Sequence, residues 1–155
     1  MPRRCLCTLG RAYRKEVTVE MKTAMFAKRH SGKTMWVTKA MKTLKEENPD
    51  IRIRYVSGSQ RLAMAVMDYM GEDAVGIDFL GIKANNTEPF DVVFLDDVVT
   101  IRHLCEKTEM DVLEKIGACN AKQVFFVGTE PDGGSTVYEH IRNSKDWLCL
   151  PMLAG

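Results

Sequence analysis

Apolar residues along this chain fall into short runs that alternate with stretches of helical period. Residues 23–27 (TAMFA) make a strand-length apolar run that opens into a polar, glycine-containing turn over residues 28–32. From residue 33 to about residue 47, Val37, Ala40, Met41 and Leu44 recur at i, i+3, i+4 and i+7, which predicts a helix. Asn48-Pro49-Asp50 predicts its end. Residues 51–56 (IRIRYV) alternate like a half-exposed strand. Ser57-Gly58-Ser59 then turns the chain and offers a cap for a helix bearing Leu62, Val66, Tyr69 and Ala63, Met67, Met70. A short strand is expected within residues 75–82 and a loop over 85–89. Residues 91–95 (DVVFL) form a continuous apolar run, suited to a strand covered on both faces. A helix around residues 108–119, a strand over 123–127, a turn over 128–134, a helix over 136–143 and a strand over 147–150 complete the pattern. Strands alternating with helices predict an α/β fold, a mostly parallel sheet with helices on both faces and right-handed crossovers.

Composition narrows the class without naming a chemistry. A chain of 155 residues with 45% apolar and 28% charged residues is one ordinary globular domain, not a disordered, collagenous or coiled-coil chain. No run approaches the ~20 apolar residues of a membrane span. Arg3 and Arg4 precede only a broken apolar stretch, which argues against a secretory signal. Residues 1–22 carry mixed charge and weak periodicity and read as an N-terminal arm or edge element, leaving residues 23–155 as the domain. A net charge of +1 excludes a bulk basic protein. Arg52, Arg54 and Arg61 are the candidates for a local basic face, with solvated charges on an edge strand as the equal alternative. Cys5, Cys7, Cys105, Cys119 and Cys149 are an odd, scattered set without zinc spacing, and His30, His103 and His140 show no metal spacing either. The last three cysteines have apolar neighbours, where a free thiol behaves as a small hydrophobe. A reduced, soluble, intracellular protein is expected.

The chemistry is concentrated where expected strands end. Residues 27–34 read A-K-R-H-S-G-K-T, at a strand-to-helix junction. A phosphate-binding loop needs bare backbone N–H groups, a helix N-terminus, a Lys for the β/γ-phosphates and a hydroxyl for Mg²⁺. Gly32, Lys33 and Thr34 fit those roles in order, while Ala27 stands where the usual pattern has its first Gly. Residues 90–97 read F-D-V-V-F-L-D-D. An apolar strand ending in two carboxylates can hold Mg²⁺ through Asp96 and orient water with Asp97. A complete strand and helix over residues 51–70 separate the two motifs, as expected when a strand is inserted between the phosphate-loop and acidic strands. Thr129, at the carboxyl end of another expected core strand, is placed to face a γ-phosphate. An ordinary turn through Pro131-Asp132-Gly133 is the plainer reading of that segment.

Taken in order, these segments resemble the ATPase domain of large terminase subunits, the motors that pump DNA into viral capsids. Lys28-Arg29-His30-Ser31-Gly32-Lys33-Thr34 resembles their variant phosphate loop, with an Arg four residues before the Lys. Residues 55–63 (YVSGSQRLA) resemble the strand-to-helix motif that follows, and Phe94-Leu95-Asp96-Asp97 the acidic strand end. Gly128-Thr129-Glu130-Pro131, with Tyr138 and Trp147, resembles the coupling motif and its aromatic-bearing helix. The resemblance spans roughly residues 23–151. It implies ATP and Mg²⁺ as cofactors, Ser31, Gly32, Lys33 and Thr34 as nucleotide-binding residues, and Thr34 and Asp96 at the metal. It makes Arg29 a cis arginine finger and assigns Asp97 and Thr129 to catalysis. It further implies double-stranded DNA, a capsid portal and a homo-oligomeric ring as partners, and the cytoplasm or nucleus of a host cell as the location. Three departures stand out: Asp97 where the family usually has Glu, Glu130 interrupting a small-Thr-Pro pattern, and no counterpart of the family's nuclease domain. Nuclease activity is therefore expected from a separate chain. Two other readings stay open, a helicase-like or other nucleic-acid-dependent ATPase, and a catalytically silent nucleotide-binding module.

Overall fold

The computed structural model describes residues 21–28, 32–84, 88–98, 106–130 and 136–151. Strands β1 (Met21–Ala27), β2 (Ile53–Ser57), β3 (Ile77–Gly81), β4 (Phe90–Asp96), β5 (Ala121–Thr129) and β6 (Leu148–Pro151) form one sheet in the order β3-β2-β4-β5-β1-β6. Every neighbouring pair is parallel. Helices α1 (Lys33–Glu47), α2 (Gln60–Met70), α3 (Glu106–Gly117) and α4 (Thr136–Asn143) alternate with the strands, and a short 3₁₀ turn, Gly71–Ala74, leads into β3. The expected α/β fold is thus present, with a sheet that is parallel throughout among the described residues.

Side chains alternate across a strand, so a strand buried on both faces feeds two cores. Val92 and Phe94 of β4 pack with Val37 and Met41 of α1 and Ala63 and Met70 of α2. Val93 and Leu95 of the same strand pack with Val112 and Ile116 of α3 and Val137 and Ile141 of α4. α1 and α2 therefore cover one face of the sheet and α3 and α4 the other. The continuous apolar run of β4 follows directly from that double cover.

Helices α1 and α4 fall where expected, and the other boundaries differ by at most two residues. β1 begins at Met21, inside the expected arm, and β5 extends through Gly128 and Thr129, which had been expected to turn. Ser59 caps α2 as expected, its side chain accepting the Leu62 N–H at 3.2 Å. On α2, Ala63 and Met70 are buried in the core and Met64, Val66 and Met67 pack against it, while Leu62 and Tyr69 are exposed. Gly81 ends β3 beneath the start of α2, where an added Cβ would lie 2.3 Å from the Gln60 backbone nitrogen. The Gln60 side chain takes advantage of that approach, accepting the Gly81 N–H at 2.7 Å and donating to the Phe79 carbonyl at 3.2 Å. The expected loop at 85–89 lies partly outside the described residues.

β2 corrects the expectation of a half-exposed strand, because all five of its residues are buried. It sits inside the sheet between β3 and β4. Arg54 is only 2% exposed. Its Nε donates to Asp78 Oδ2 at 2.8 Å, and its Nη2 lies 2.7 Å from the same oxygen and 3.0 Å from Glu88 Oε2. The guanidinium centre stands 4.2 Å from the Phe90 ring centroid. Arg54 therefore belongs neither to a basic face nor to a solvated edge strand, but to an internal ion pair. Cys149 is exposed rather than packed among apolar side chains, whereas Cys119 is buried and burial pushes its thiol up to about 11. Cys5, Cys7 and Cys105 lie outside the described residues.

Candidate functional site

The carboxyl ends of β1, β4 and β5 lie side by side because β5 separates the other two strands. Ala27 is paired with Thr129 and Asp96 with Val127. Backbone bonds carry this alignment past the strands: Glu130 N–H donates to the Ala27 carbonyl and Asp97 N–H to the Val127 carbonyl, both at 2.8 Å. The chain leaves β1 toward the face covered by α1, but leaves β4 and β5 toward the face covered by α3 and α4. Connections that part in this way open a crevice at the carboxyl edge, the usual ligand position in open α/β sheets. β5, not the β2 segment that separates the motifs in sequence, is the strand inserted between β1 and β4.

On the β1 side, Gly32 precedes α1 with φ 84° and ψ 24°, a left-handed conformation in which any other side chain is strained. Its carbonyl accepts the Trp36 N–H at 2.9 Å and starts the helix. Lys33, the first residue of α1, is only 6% exposed. Its Nζ reaches back to the Lys28 carbonyl at 3.4 Å. Among the described residues no carboxylate forms an ion pair with it. A buried ammonium held by one long hydrogen bond, at a helix N-terminus, is a strong seat for an anion.

Thr34 links the two motifs. Its Oγ1 donates to Asp96 Oδ2 at 3.1 Å, and the Tyr55 hydroxyl donates to the same oxygen at 2.5 Å. Asp96 is 2% exposed, and its other oxygen, Oδ1, is buried with no hydrogen-bond partner among the described residues. Burial raises the Asp96 carboxyl above its ordinary range; the Tyr55 hydrogen bond opposes this, the Asp97 charge adds to it, and the Thr34 bond and Lys33 charge oppose it further. Burial also raises the Tyr55 phenol, and the Asp96 charge adds to that shift. A hydroxyl beside a buried carboxylate with a free oxygen fits a hard divalent cation such as Mg²⁺, which takes few protein ligands and keeps several waters. Among the described residues no group of three or more His, Cys, Asp and Glu side chains is arranged to hold a metal by itself.

Asp97 turns out of the strand with φ 50°, the one non-glycine residue with positive φ among the described residues. Its Oδ1 accepts the Thr129 hydroxyl at 3.0 Å. Thr129 thus holds Asp97 and spans the ends of β4 and β5. Tyr138 packs edge-on to Phe26 at 4.7 Å, and Trp147 edge-on to Phe126 at 6.2 Å, so both aromatics brace the sheet next to β1.

The structure therefore brings together Gly32, Lys33, Thr34, Asp96, Asp97 and Thr129. Arg29 and Ser31 lie outside the described residues. Tyr55 is not among the expected site residues, entering only as part of a strand and of the strand-to-helix motif. The available signal was a Tyr on an inner strand beside one that ends in carboxylates, since a buried phenol seeks a polar partner. No family model and no curated protein matches this chain.

Proposed function

We propose that this chain is a P-loop ATPase domain of the DNA-packaging kind, binding ATP with Mg²⁺ and coupling hydrolysis to movement along double-stranded DNA. The observation that carries the reading is the Thr34–Asp96 contact, which joins a G-K-T helix start to an acidic strand end across 62 residues at 3.1 Å. The strand inserted between β1 and β4 supports it, as does the buried Lys33 ammonium. Backbone N–H groups from Gly32 onward and the Lys33 ammonium bind the phosphates, with Ser31 contributing from the loop. Thr34 and Asp96 would hold Mg²⁺, Asp96 through water. The bound metal would neutralise charge on the transferring phosphoryl group. Asp97 orients the attacking water with the oxygen that Thr129 leaves free, and Arg29 is the cis arginine finger. As a motor the domain would work in a homo-oligomeric ring, at a capsid portal, with nuclease activity on a separate chain.

A catalytically silent nucleotide-binding module is the second reading, favoured by one observation: an Asp97 oxygen is already occupied by Thr129. Nucleotide binding is common to both readings and is tested first. ATP–Mg²⁺ at about a hundredfold over its Kd adds ~2.7 kcal/mol, a rise of several degrees in melting temperature for a domain of this size. Lys33→Ala is expected to abolish that rise while the ligand-free protein still melts cooperatively. An undiminished rise in the variant would remove the phosphate-loop assignment.

A further inference from the structure

We infer that Tyr55, packed against Phe79, is a positioning residue that sets the divalent-metal requirement of this site by fixing which oxygen of Asp96 faces the metal; the inference rests on the nucleotide–magnesium reading above. Both hydrogen bonds given to Asp96 fall on Oδ2, from Thr34 at 3.1 Å and from Tyr55 at 2.5 Å. Oδ1 is left buried and unpartnered among the described residues. An unmet acceptor in a buried charged group is costly, so its persistence points to a partner supplied by the ligand.

The phenol is well placed to hold that arrangement. β2 lies beside β4 with Tyr55 paired to Phe94 and Ser57 to Asp96, so the Tyr55 side chain reaches two residues along the strand to the carboxylate. Tyr55 is 1% exposed, and its ring packs against Phe79 with centroids 5.5 Å apart. Ser57, two residues further along the same face of β2, is buried as well and closes the strand end beside the phenol. The last torsion of an Asp side chain is soft and roughly two-fold. Thr34 sits on an exposed helix start and would itself ligate the metal. Tyr55 is therefore the fixed donor that stops the carboxylate from swivelling. Partners one step behind a ligand typically change metal affinity ~10–100-fold when removed.

The test uses the whole 155-residue chain with saturating ADP, titrated with Mn²⁺ and read by the electron paramagnetic resonance of free Mn²⁺. Tyr55→Phe is expected to need about 10-fold more Mn²⁺ for half-saturation, with metal-free ADP affinity unchanged. Phe79→Leu, which removes the ring packed against Tyr55, should shift it in the same direction by less, and carries the test if Tyr55→Phe does not fold. Adding Tyr55→Phe to Asp96→Asn should change nothing further, because the phenol acts through that carboxylate. Unshifted Mn²⁺ half-saturation in the folded variants would overturn the inference, as would an equal loss of metal-free ADP binding. A wild-type chain that binds no ADP under any metal condition would remove the nucleotide reading itself, a different result from wild-type binding with unmoved variants.

Discussion

Asp97→Asn is expected to lower ATP turnover by ~10²–10⁴-fold while ATP affinity and melting temperature stay close to those of the wild type. The substitution isolates charge from shape. Asp97 occupies left-handed backbone at φ 50°, a conformation that Asn tolerates at least as well. The Asn carbonyl keeps an acceptor for the Thr129 hydroxyl, which lies 3.0 Å from Asp97 Oδ1. What is lost is the negative oxygen left over to orient water. Measuring kcat beside nucleotide Kd separates the two effects, and unchanged kcat would show that another group orients the water. Asp97→Glu adds information about reach, since Asp is one methylene shorter and its oxygens fall ~1.5 Å behind those of Glu. A misplacement of about 1 Å can cost ~10²-fold in rate. If the strand end has compensated for the shorter side chain, the wild type turns over and the Glu variant gains nothing. A slow wild type accelerated by Asp97→Glu would indicate a site that has not compensated.

The largest effect on stability is expected away from the site, where Arg54 is buried against Asp78, Glu88 and the Phe90 ring. Removing both carboxylates (Asp78→Asn with Glu88→Gln) would leave a guanidinium that is 2% exposed without a counter-charge. Breaking a buried pair from one side costs ~3–5 kcal/mol, on the order of 10 °C in melting temperature here. Arg54→Met should be milder. It removes the buried charge together with Nη1, which is buried with no hydrogen-bond partner among the described residues. It keeps an unbranched side chain against Phe90, and it leaves carboxylates that are 41% and 72% exposed and remain partly hydrated. Thermal melts of the two variants compare the costs directly. An Arg54→Met protein less stable than the carboxylate double variant would show that the arginine is there for hydrogen-bonding geometry, not as a charge awaiting pairing.

The same arginine shows where the sequence was ambiguous. I-R-I-R-Y-V has the period of a half-buried strand, and a guanidinium is normally assigned to water. Its carboxylate partners stand 24 and 34 residues later, so local pattern gives no hint that Arg54 turns inward. β4 was legible because no outward-facing polar residue interrupts its run between Asp91 and Asp96, and that pattern requires cover on both faces. α1 was legible from Lys33 to Glu47 because its apolar spacing is regular and Asn48-Pro49 stops it. Gly32, Lys33, Thr34 and the Asp96-Asp97 pair were legible as local motifs at strand ends. Their meeting was not, since it depends on which strand pairs with which. Thr129 was placed at the correct strand end, but its hydroxyl goes to Asp97, a contact set by the β4–β5 register. Tyr55 escaped notice because an apolar ring and a polar tip look alike in a hydropathy pattern.

The central claim is that the carboxyl edge of β1, β4 and β5 hydrolyses ATP and couples that reaction to DNA. The most direct test is ATP turnover by the whole chain with Mg²⁺, with and without double-stranded DNA, and with Lys33→Ala assayed in parallel. Magnesium-dependent phosphate release that double-stranded DNA accelerates and that Lys33→Ala abolishes is the expected result. Turnover that ignores DNA would contradict the motor assignment while leaving the ATPase, and the absence of Lys33-dependent turnover under either condition would contradict the claim itself.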